Sequence, residues 1–484
     1  MLALHTVPLL ARTLTQQLAK MIEAPPLIAV VGSTGVGKSR LAVELASSIR
    51  DKMLPSDTPW TNAKIINADA MQTYKGLDLV TNKITRSEMN GIEHVLIDFR
   101  GPTDEYVVTE WVADAISEIN SAHESRKLPV VVGGTSYWVQ HLLFANRLAS
   151  LEEGRSIAPS GVDLELEPSL KRLLDDLPTR ADDVDEETSF QLHNLLTRLD
   201  PAAASRWHWK DTRKVLRSIN IVLESNMTVG ETYEAQPNPT PRYPALIFWL
   251  YMEPRVLNPM LDRRIDRMVE LGLREEIEET RRLANSSTNK IEMIGLNQAI
   301  GYKEFEAYFN DPNRPQLEFD RGVERMKVTT RQYATRQVKW IKSQLLPLAM
   351  ASRTVHVELL EIKNPDQWDN DILKVALGCL SEFLSGHLTS EKRIQSDLLQ
   401  SFITPARVPE TNERRKIRCD ICTTDPRRPV MLDEVTEWDL HRKSRSHRRK
   451  ASRESRKEEQ LQRQVEIQAQ RAAARADTAP SIQE

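Results

Sequence analysis

Gly32-Ser33-Thr34-Gly35-Val36-Gly37-Lys38-Ser39 satisfies G-x-x-x-x-G-K-[ST], and its neighbours supply the setting that pattern requires. The apolar run Leu27 to Val31 in front of it predicts a buried strand, and Arg40-Leu41-Ala42-Val43-Glu44-Leu45-Ala46 behind it has helical spacing of apolar residues. Strand, glycine-rich loop and helix in that order predict a phosphate-binding loop rather than a plain turn. Glycines at 32, 35 and 37 let the backbone wrap an oxyanion, so that N–H groups and the helix N-terminus face its oxygens. Lys38 adds a point charge, and the Ser39 hydroxyl is suited to Mg²⁺. The loop alone does not choose between a nucleotide and another diphosphate.

Two more strand-then-loop units follow. Lys64-Ile65-Ile66-Asn67 leads into Ala68-Asp69-Ala70-Met71-Gln72, and Leu128-Pro129-Val130-Val131-Val132 leads into Gly133-Gly134-Thr135. Continuous β-branched strands alternating with helical segments such as Glu110 to Asn120 predict an α/β fold with a parallel sheet covered on both faces. Ligands then bind at the carboxyl ends of the strands, where Asp69 and Thr135 join the loop.

The remaining segments divide the chain. We expect an N-terminal segment at 1–24, a first part of the catalytic core at 25–147, a helical insertion at 148–238, a second part of the core at 239–350, and a helical region and linker at 351–410. A zinc finger at 411–451 and a polar tail at 452–484, disordered or a solvated helix, complete the division. With 484 residues, 40% of them hydrophobic and 28% charged, there is material for several domains of roughly 100 to 200 residues. The longest stretch without Asp, Glu, Lys or Arg runs from Leu128 to Asn146 and contains Pro129, Gly133, Gly134, Gln140 and His141, so a soluble protein without a membrane span is expected. Three cysteines argue for a reducing compartment, with Cys379 a small core residue. Residues 1–22 suit either a mitochondrial transit segment or a leading helix, so the expected location is cytoplasmic, mitochondrial or nuclear, without secretion.

Asp69, an acid at the end of a strand expected to lie next to the loop, suits three roles: a water-mediated metal ligand, a general base, or an N-cap. Asp98, ending Val95-Leu96-Ile97-Asp98, is a rival for the metal acid. Arg213 and Arg217 stand four apart within Lys210-Asp211-Thr212-Arg213-Lys214-Val215-Leu216-Arg217, and suit either a phosphate grip or a solvated basic face. Thr329-Thr330-Arg331-Gln332-Tyr333-Ala334-Thr335-Arg336-Gln337 has the same two readings. Near the C-terminus, Cys419-x-x-Cys422 with His441 and His447 supplies two thiolates and two imidazoles for tetrahedral zinc, with Trp438 as a small core. Arg442 to Lys457 holds nine Lys/Arg against the single acid Glu454, a balance suited to nucleic-acid phosphates.

Taken in order, these segments resemble the tRNA dimethylallyltransferase (tRNA isopentenyltransferase) family over roughly residues 25–345. The matching runs are Gly32 to Ala42, Asn67 to Asp78, Pro129 to Tyr137, Leu199-Asp200-Pro201 with Asp211 to Arg217, Ala299 to Phe305, and Thr330 to Gln337 with Trp340. The Cys/His module resembles the finger of eukaryotic members. Two departures are Ala70, where the family usually has serine, and Trp209, where a proline is common.

The resemblance implies that Gly32, Ser33, Thr34, Gly35, Val36, Gly37, Lys38 and Ser39 hold the diphosphate of dimethylallyl diphosphate, with Mg²⁺ at Ser39. It implies catalytic roles for Asp69 as general base and for Lys38 and Thr34 at the leaving pyrophosphate. It also implies tRNA contacts from Asp69, Ala70, Met71, Gln72, Thr135, Arg213, Lys214, Val215, Leu216, Arg217, Gln298, Gly301, Tyr302 and Lys303. The acceptor would be the N6 amine of the adenosine next to the anticodon, position 37, and the protein a monomer. Two other activities remain open at this point: prenylation of free adenine nucleotides, and phosphoryl transfer or nucleotide hydrolysis with Asp98 as the metal acid.

Overall fold

The computed structural model describes residues 25–53, 58–101, 104–145, 166–178, 181, 184–235, 238–286, 299–388, 396–403 and 415–476. The chain forms two compact units, 1–148 with 238–404, and 149–237 with 405–484.

The first unit is built on six strands: β1 (Leu27–Gly32), β2 (Asn62–Asn67), β3 (Glu93–Val95), β4 (Lys127–Val132), β5 (Ala245–Tyr251) and β6 (Val355–Glu361). They lie in the order β3-β2-β4-β1-β5-β6, and every neighbouring pair is parallel. The central β1 and β5 are almost wholly apolar because both faces are covered. Leu27, Ala29 and Val31 of β1 enter one core with Trp111, Ala115 and Ile119 of the helix Val108–Glu124. The intervening Ile28 and Val30 enter the other, with Leu41 and Leu45 of the helix Lys38–Arg50 and with Ala376 and Leu380 of the helix Lys374–Leu384. The period-two alternation thus feeds two cores rather than one core and solvent.

Two expectations change. The strand beside β1 is β4, with β2 beyond it, so Asp69 does not end the strand next to the loop. The segment 351–410, expected to be helical region and linker, contains β6 at the sheet edge.

In the second unit the helices Pro168–Asp175, Glu186–Leu199, Pro201–Arg206, Thr212–Ser225 and Val229–Ala235 enclose a core that includes Leu192, Leu195, Leu196, Val215 and Ile219. The buried acid Asp200 is satisfied at both oxygens, accepting the Ala203 N–H at 2.9 Å and the Val229 N–H at 2.8 Å. An antiparallel hairpin of Lys416–Arg418 and Met431–Asp433, the helix Trp438–Lys443 and the start of the helix Arg445–Ala476, which carries His447, form the Cys/His module. Trp209, only 1% exposed, donates its indole N–H to the Pro429 carbonyl of that module at 2.9 Å, while Glu186 pairs with Lys210 and Arg428. The residue that departs from the family pattern is therefore a buried anchor between insertion and module. The polar tail, expected to be disordered or a solvated helix, is helical over Arg445–Ala476. Among the described residues no helix is long and apolar enough to cross a membrane.

Candidate active site

Three strand ends of the first unit are laced together by backbone and side-chain hydrogen bonds. At the end of β2, the Ala68 N–H donates to the Val132 carbonyl at 2.7 Å, and the Ala68 carbonyl accepts the Thr135 N–H at 3.0 Å. Gly133 is required here, since a Cβ would lie 2.1 Å from the Ala68 carbonyl carbon. The Thr135 hydroxyl accepts the Ala70 N–H at 3.0 Å. Asp69 is held between these turns, its Oδ1 accepting the Met71 N–H at 3.1 Å. Burial raises its pKa above the ordinary carboxylate value; the Lys38 charge and the N–H groups of Met71, Gln72 and Gly134 oppose the shift without cancelling it.

The phosphate loop leaves β1 and turns into the helix Lys38–Arg50 through Gly35 and Gly37, both in the left-handed region at φ 85° and 87°. Lys38 folds back so that its ammonium donates to the Ser33 carbonyl at 2.8 Å. Enclosure lowers the Lys38 pKa to about 8, against the attraction of Asp69 and with a smaller push from Arg264. The Ser33 hydroxyl is buried without a protein partner. Ser39 is exposed in the first turn, where its hydroxyl is available to a cation bound to the same anion.

Two helices beyond the strand-loop units close the site. Gln337, from the helix Gln316–Trp340, accepts the Thr34 N–H at 2.8 Å and donates to the Gly134 carbonyl at 2.8 Å. One side chain so ties the phosphate loop to the turn facing Asp69. One turn earlier, burial and the neighbouring Asp69 charge push the Tyr333 hydroxyl pKa up, so it stays protonated. Arg264, from the helix Pro254–Glu270, aims Nη1 and Nη2 at the Thr34 hydroxyl at 3.2 and 3.1 Å, and burial lowers its pKa to about 10. The result is an anion cradle with two enclosed cations beside one carboxylate that burial makes more basic than usual. That arrangement can bind a diphosphate, stabilise it as it leaves, and accept a proton.

In the second unit the ligand atoms of Cys419, Cys422, His441 and His447 all lie within 4.8 Å of one another. Both thiol sulfurs are 3.5 Å from His447 Nδ1, which is 3.1 Å from His441 Nε2. Tetrahedral zinc with Zn–S of about 2.3 Å and Zn–N of about 2.0 Å needs ligand separations of about 3.3 to 3.8 Å. The donor set and its spacing fit that geometry.

Comparison with known proteins agrees with the site. Residues 72–344 match the IPP transferase family model. The chain is 32% identical over 448 residues to the tRNA dimethylallyltransferase of Schizosaccharomyces pombe, covering 89% of this chain and 97% of the relative. It belongs to the tRNA dimethylallyltransferase family. The Homo sapiens tRNA dimethylallyltransferase is 29% identical, with 87% of this chain and 85% of the relative covered. A solved structure of a eukaryotic dimethylallyltransferase acting on tRNA superposes with a TM-score of 0.71 at 27% identity, covering 91% of this chain and 100% of that one.

Among the residues the family resemblance singled out, the structure brings together the loop, Asp69, Ala70 and Thr135. It assigns others to packing. Val215 and Leu216 have buried side chains in the insertion core, whereas Arg213, Lys214 and Arg217 are exposed. The Gln72 side-chain amide donates to the carbonyls of Thr81 and Asn82, tying down its own loop. Gly301, buried at φ 109°, faces Val80 and Met326, Tyr302 has Arg281 4.4 Å over its ring, and Lys303 is exposed. Gln298 lies outside the described residues.

Asp98 does not serve the loop. It follows β3, three positions from β1 in the sheet and so about 14 Å away at the usual strand spacing. Its carboxylate pairs with the buried Lys83 at 2.7 Å. Sequence reasoning missed Arg264 and did not single out Gln337 or Tyr333 as site residues. The signal for Arg264 was its position, in register with Leu257, Leu261, Ile265 and Met268 on the buried face of its helix.

Proposed function

We infer that this chain transfers the dimethylallyl group of dimethylallyl diphosphate to the N6 amine of adenosine 37 of tRNA, releasing pyrophosphate. The observation that carries the reading is the convergence of Lys38, Arg264 and the Thr34 hydroxyl on the phosphate loop, beside the enclosed Asp69, in a member of this family. The N6 lone pair attacks the donor's C1, the C1–O bond breaks, and its electron pair leaves with the diphosphate. Asp69 takes the N6 proton. Lys38 and Arg264 offset the charge that grows on the leaving oxygen, where a dry site makes each cation count for more than in water. Mg²⁺ held by Ser39 and the diphosphate would supply further charge compensation. Gln337 fixes the distance between donor cradle and base.

A parallel incubation tests this. Labelled dimethylallyl diphosphate is supplied with tRNA or with AMP, and ATP turnover is followed separately. Label is expected in tRNA alone; label in AMP, or ATP hydrolysis without prenylation, would overturn the reading. The separation of Asp98 from the loop argues against phosphoryl transfer with that residue as metal acid.

The exposed Arg213, Lys214 and Arg217 and the basic residues around His447 fit RNA phosphates, and we assign the Cys/His module to structural zinc. Four protein ligands leave no open coordination position. Cys419→Ser together with Cys422→Ser is expected to abolish binding of one zinc per chain, weaken tRNA binding and make its salt dependence shallower. The rate at saturating tRNA should stay near that of the parent. Metal analysis of the parent protein without zinc would remove the assignment.

A further inference from the structure

The phosphate loop has a back wall supplied by a segment far from it in the chain. Gly37 ends the loop in a left-handed conformation at φ 87°, and no side chain caps the helix that follows. The space on its far side is filled by an indole. A Cβ at Gly37 would lie 2.7 Å from Cη2 and 2.9 Å from Cζ3 of Trp368, so the ring is in contact with the loop backbone itself. Trp368 is 5% exposed, on the segment that follows β6.

The same ring is tied to the helix by two further contacts, to Glu44 and to Arg40, which are themselves linked. Its Nε1–H donates to Glu44 Oε2 at 2.7 Å. Glu44 Oε1 accepts from Arg40 Nε at 2.8 Å, and the Arg40 guanidinium lies 4.6 Å over the indole. Arg40 Nη2 reaches Asp369, next to Trp368, at 3.3 Å. One aromatic side chain therefore braces Gly37 and the first two turns of the helix Lys38–Arg50, the backbone whose N–H groups point into the cradle. A loop of glycines has little stiffness of its own, so its aim depends on what packs behind it.

We propose that Trp368 is a positioning residue for the donor, holding the Gly37–Glu44 segment so that the loop N–H groups and Lys38 converge on the diphosphate. This rests on the reading that the loop holds the donor's diphosphate. The role is directional: it should affect the donor and not the tRNA.

The test varies donor and tRNA separately in steady state, and measures pyrophosphate binding directly, for Trp368→Ala, Trp368→Phe and Glu44→Gln. Trp368→Ala should raise the donor KM by about 10- to 10²-fold and weaken pyrophosphate binding in step, with the tRNA KM unchanged. Trp368→Phe, which restores a wall but not the hydrogen bond, should recover most of the loss. Glu44→Gln should weaken pyrophosphate binding modestly, and serves if the alanine variant does not fold. Donor KM and pyrophosphate affinity within about twofold of the parent in the alanine variant, or unchanged in both Phe and Gln variants if alanine does not fold, would overturn the proposal. So would equal rises in both KM values. If the parent protein itself binds neither pyrophosphate nor donor, the fault lies in the assigned function and not in the brace.

Discussion

Asp69→Asn is expected to lower the transfer rate by about 10²- to 10⁴-fold while donor and tRNA still bind, because it removes the proposed base and little else. Asparagine has the same shape, and its carbonyl oxygen can still accept the Met71 N–H that Asp69 accepts at 3.1 Å. What it lacks is the site for the N6 proton. The environment gives the prediction a pH signature. Burial raises the Asp69 pKa, so the deprotonated, active form is lost as pH falls through a value above that of an exposed carboxylate. The acidic limb of kcat should therefore sit higher than the usual carboxylate range in the parent and vanish in the variant. On the alkaline side, Lys38 is charged below its pKa of about 8 in the donor-free protein, so donor capture should weaken as pH rises through that value. Single-turnover rates across pH decide the matter. A variant that reacts at nearly the parent rate would remove Asp69 from the proton transfer.

Much of this site was legible because its chemistry is local in the chain. The loop, its strand and its helix occupy one continuous segment, and Asp69 follows a β-branched strand directly. The Cys/His module was legible for the same reason, since its two cysteines and two histidines stand out by type and spacing. The rest depends on long-range placement. Strand order cannot be read from chain order, and β4 enters between β1 and β2 although it comes after both in sequence. Gln337 and Tyr333 sat within a segment that reads as a basic helix face, and only the fold shows that its amide spans two loops. β6 alternates Val355, Val357 and Leu359 with His356, Glu358 and Leu360, a weak period-two signal after a long helix. The tail lacks an apolar stripe, and a polar composition does not separate coil from solvated helix. Trp209, a departure from the family pattern, is satisfied by a backbone carbonyl more than two hundred residues away in sequence, a partner that no local reading reaches.

Arg264 is the residue for which sequence and structure differ most, and removing it should have the second large effect. Its two terminal nitrogens converge on the Thr34 hydroxyl at 3.2 and 3.1 Å, while Nε is buried without a protein partner. A guanidinium held this way inside the protein is a fixed cation at the edge of the anion cradle, available to the charge that develops as the C1–O bond breaks. Loss of one such preorganised donor typically costs about 10²- to 10³-fold in rate. Arg264→Gln should therefore slow single-turnover transfer by that order, with a smaller effect on tRNA binding. Arg264→Lys should recover little, because a single ammonium cannot reproduce the fork that meets Thr34. The neighbouring lysine supplies an independent check. Arg264 is one of the causes that lower the Lys38 pKa, after burial and against Asp69, so its removal should move the alkaline limb of donor capture above about 8. A rate close to the parent's would show that Lys38 and the loop N–H groups suffice for the leaving group. A slow variant whose alkaline limb stays in place would show that Arg264 supports the loop without sharing its field with Lys38.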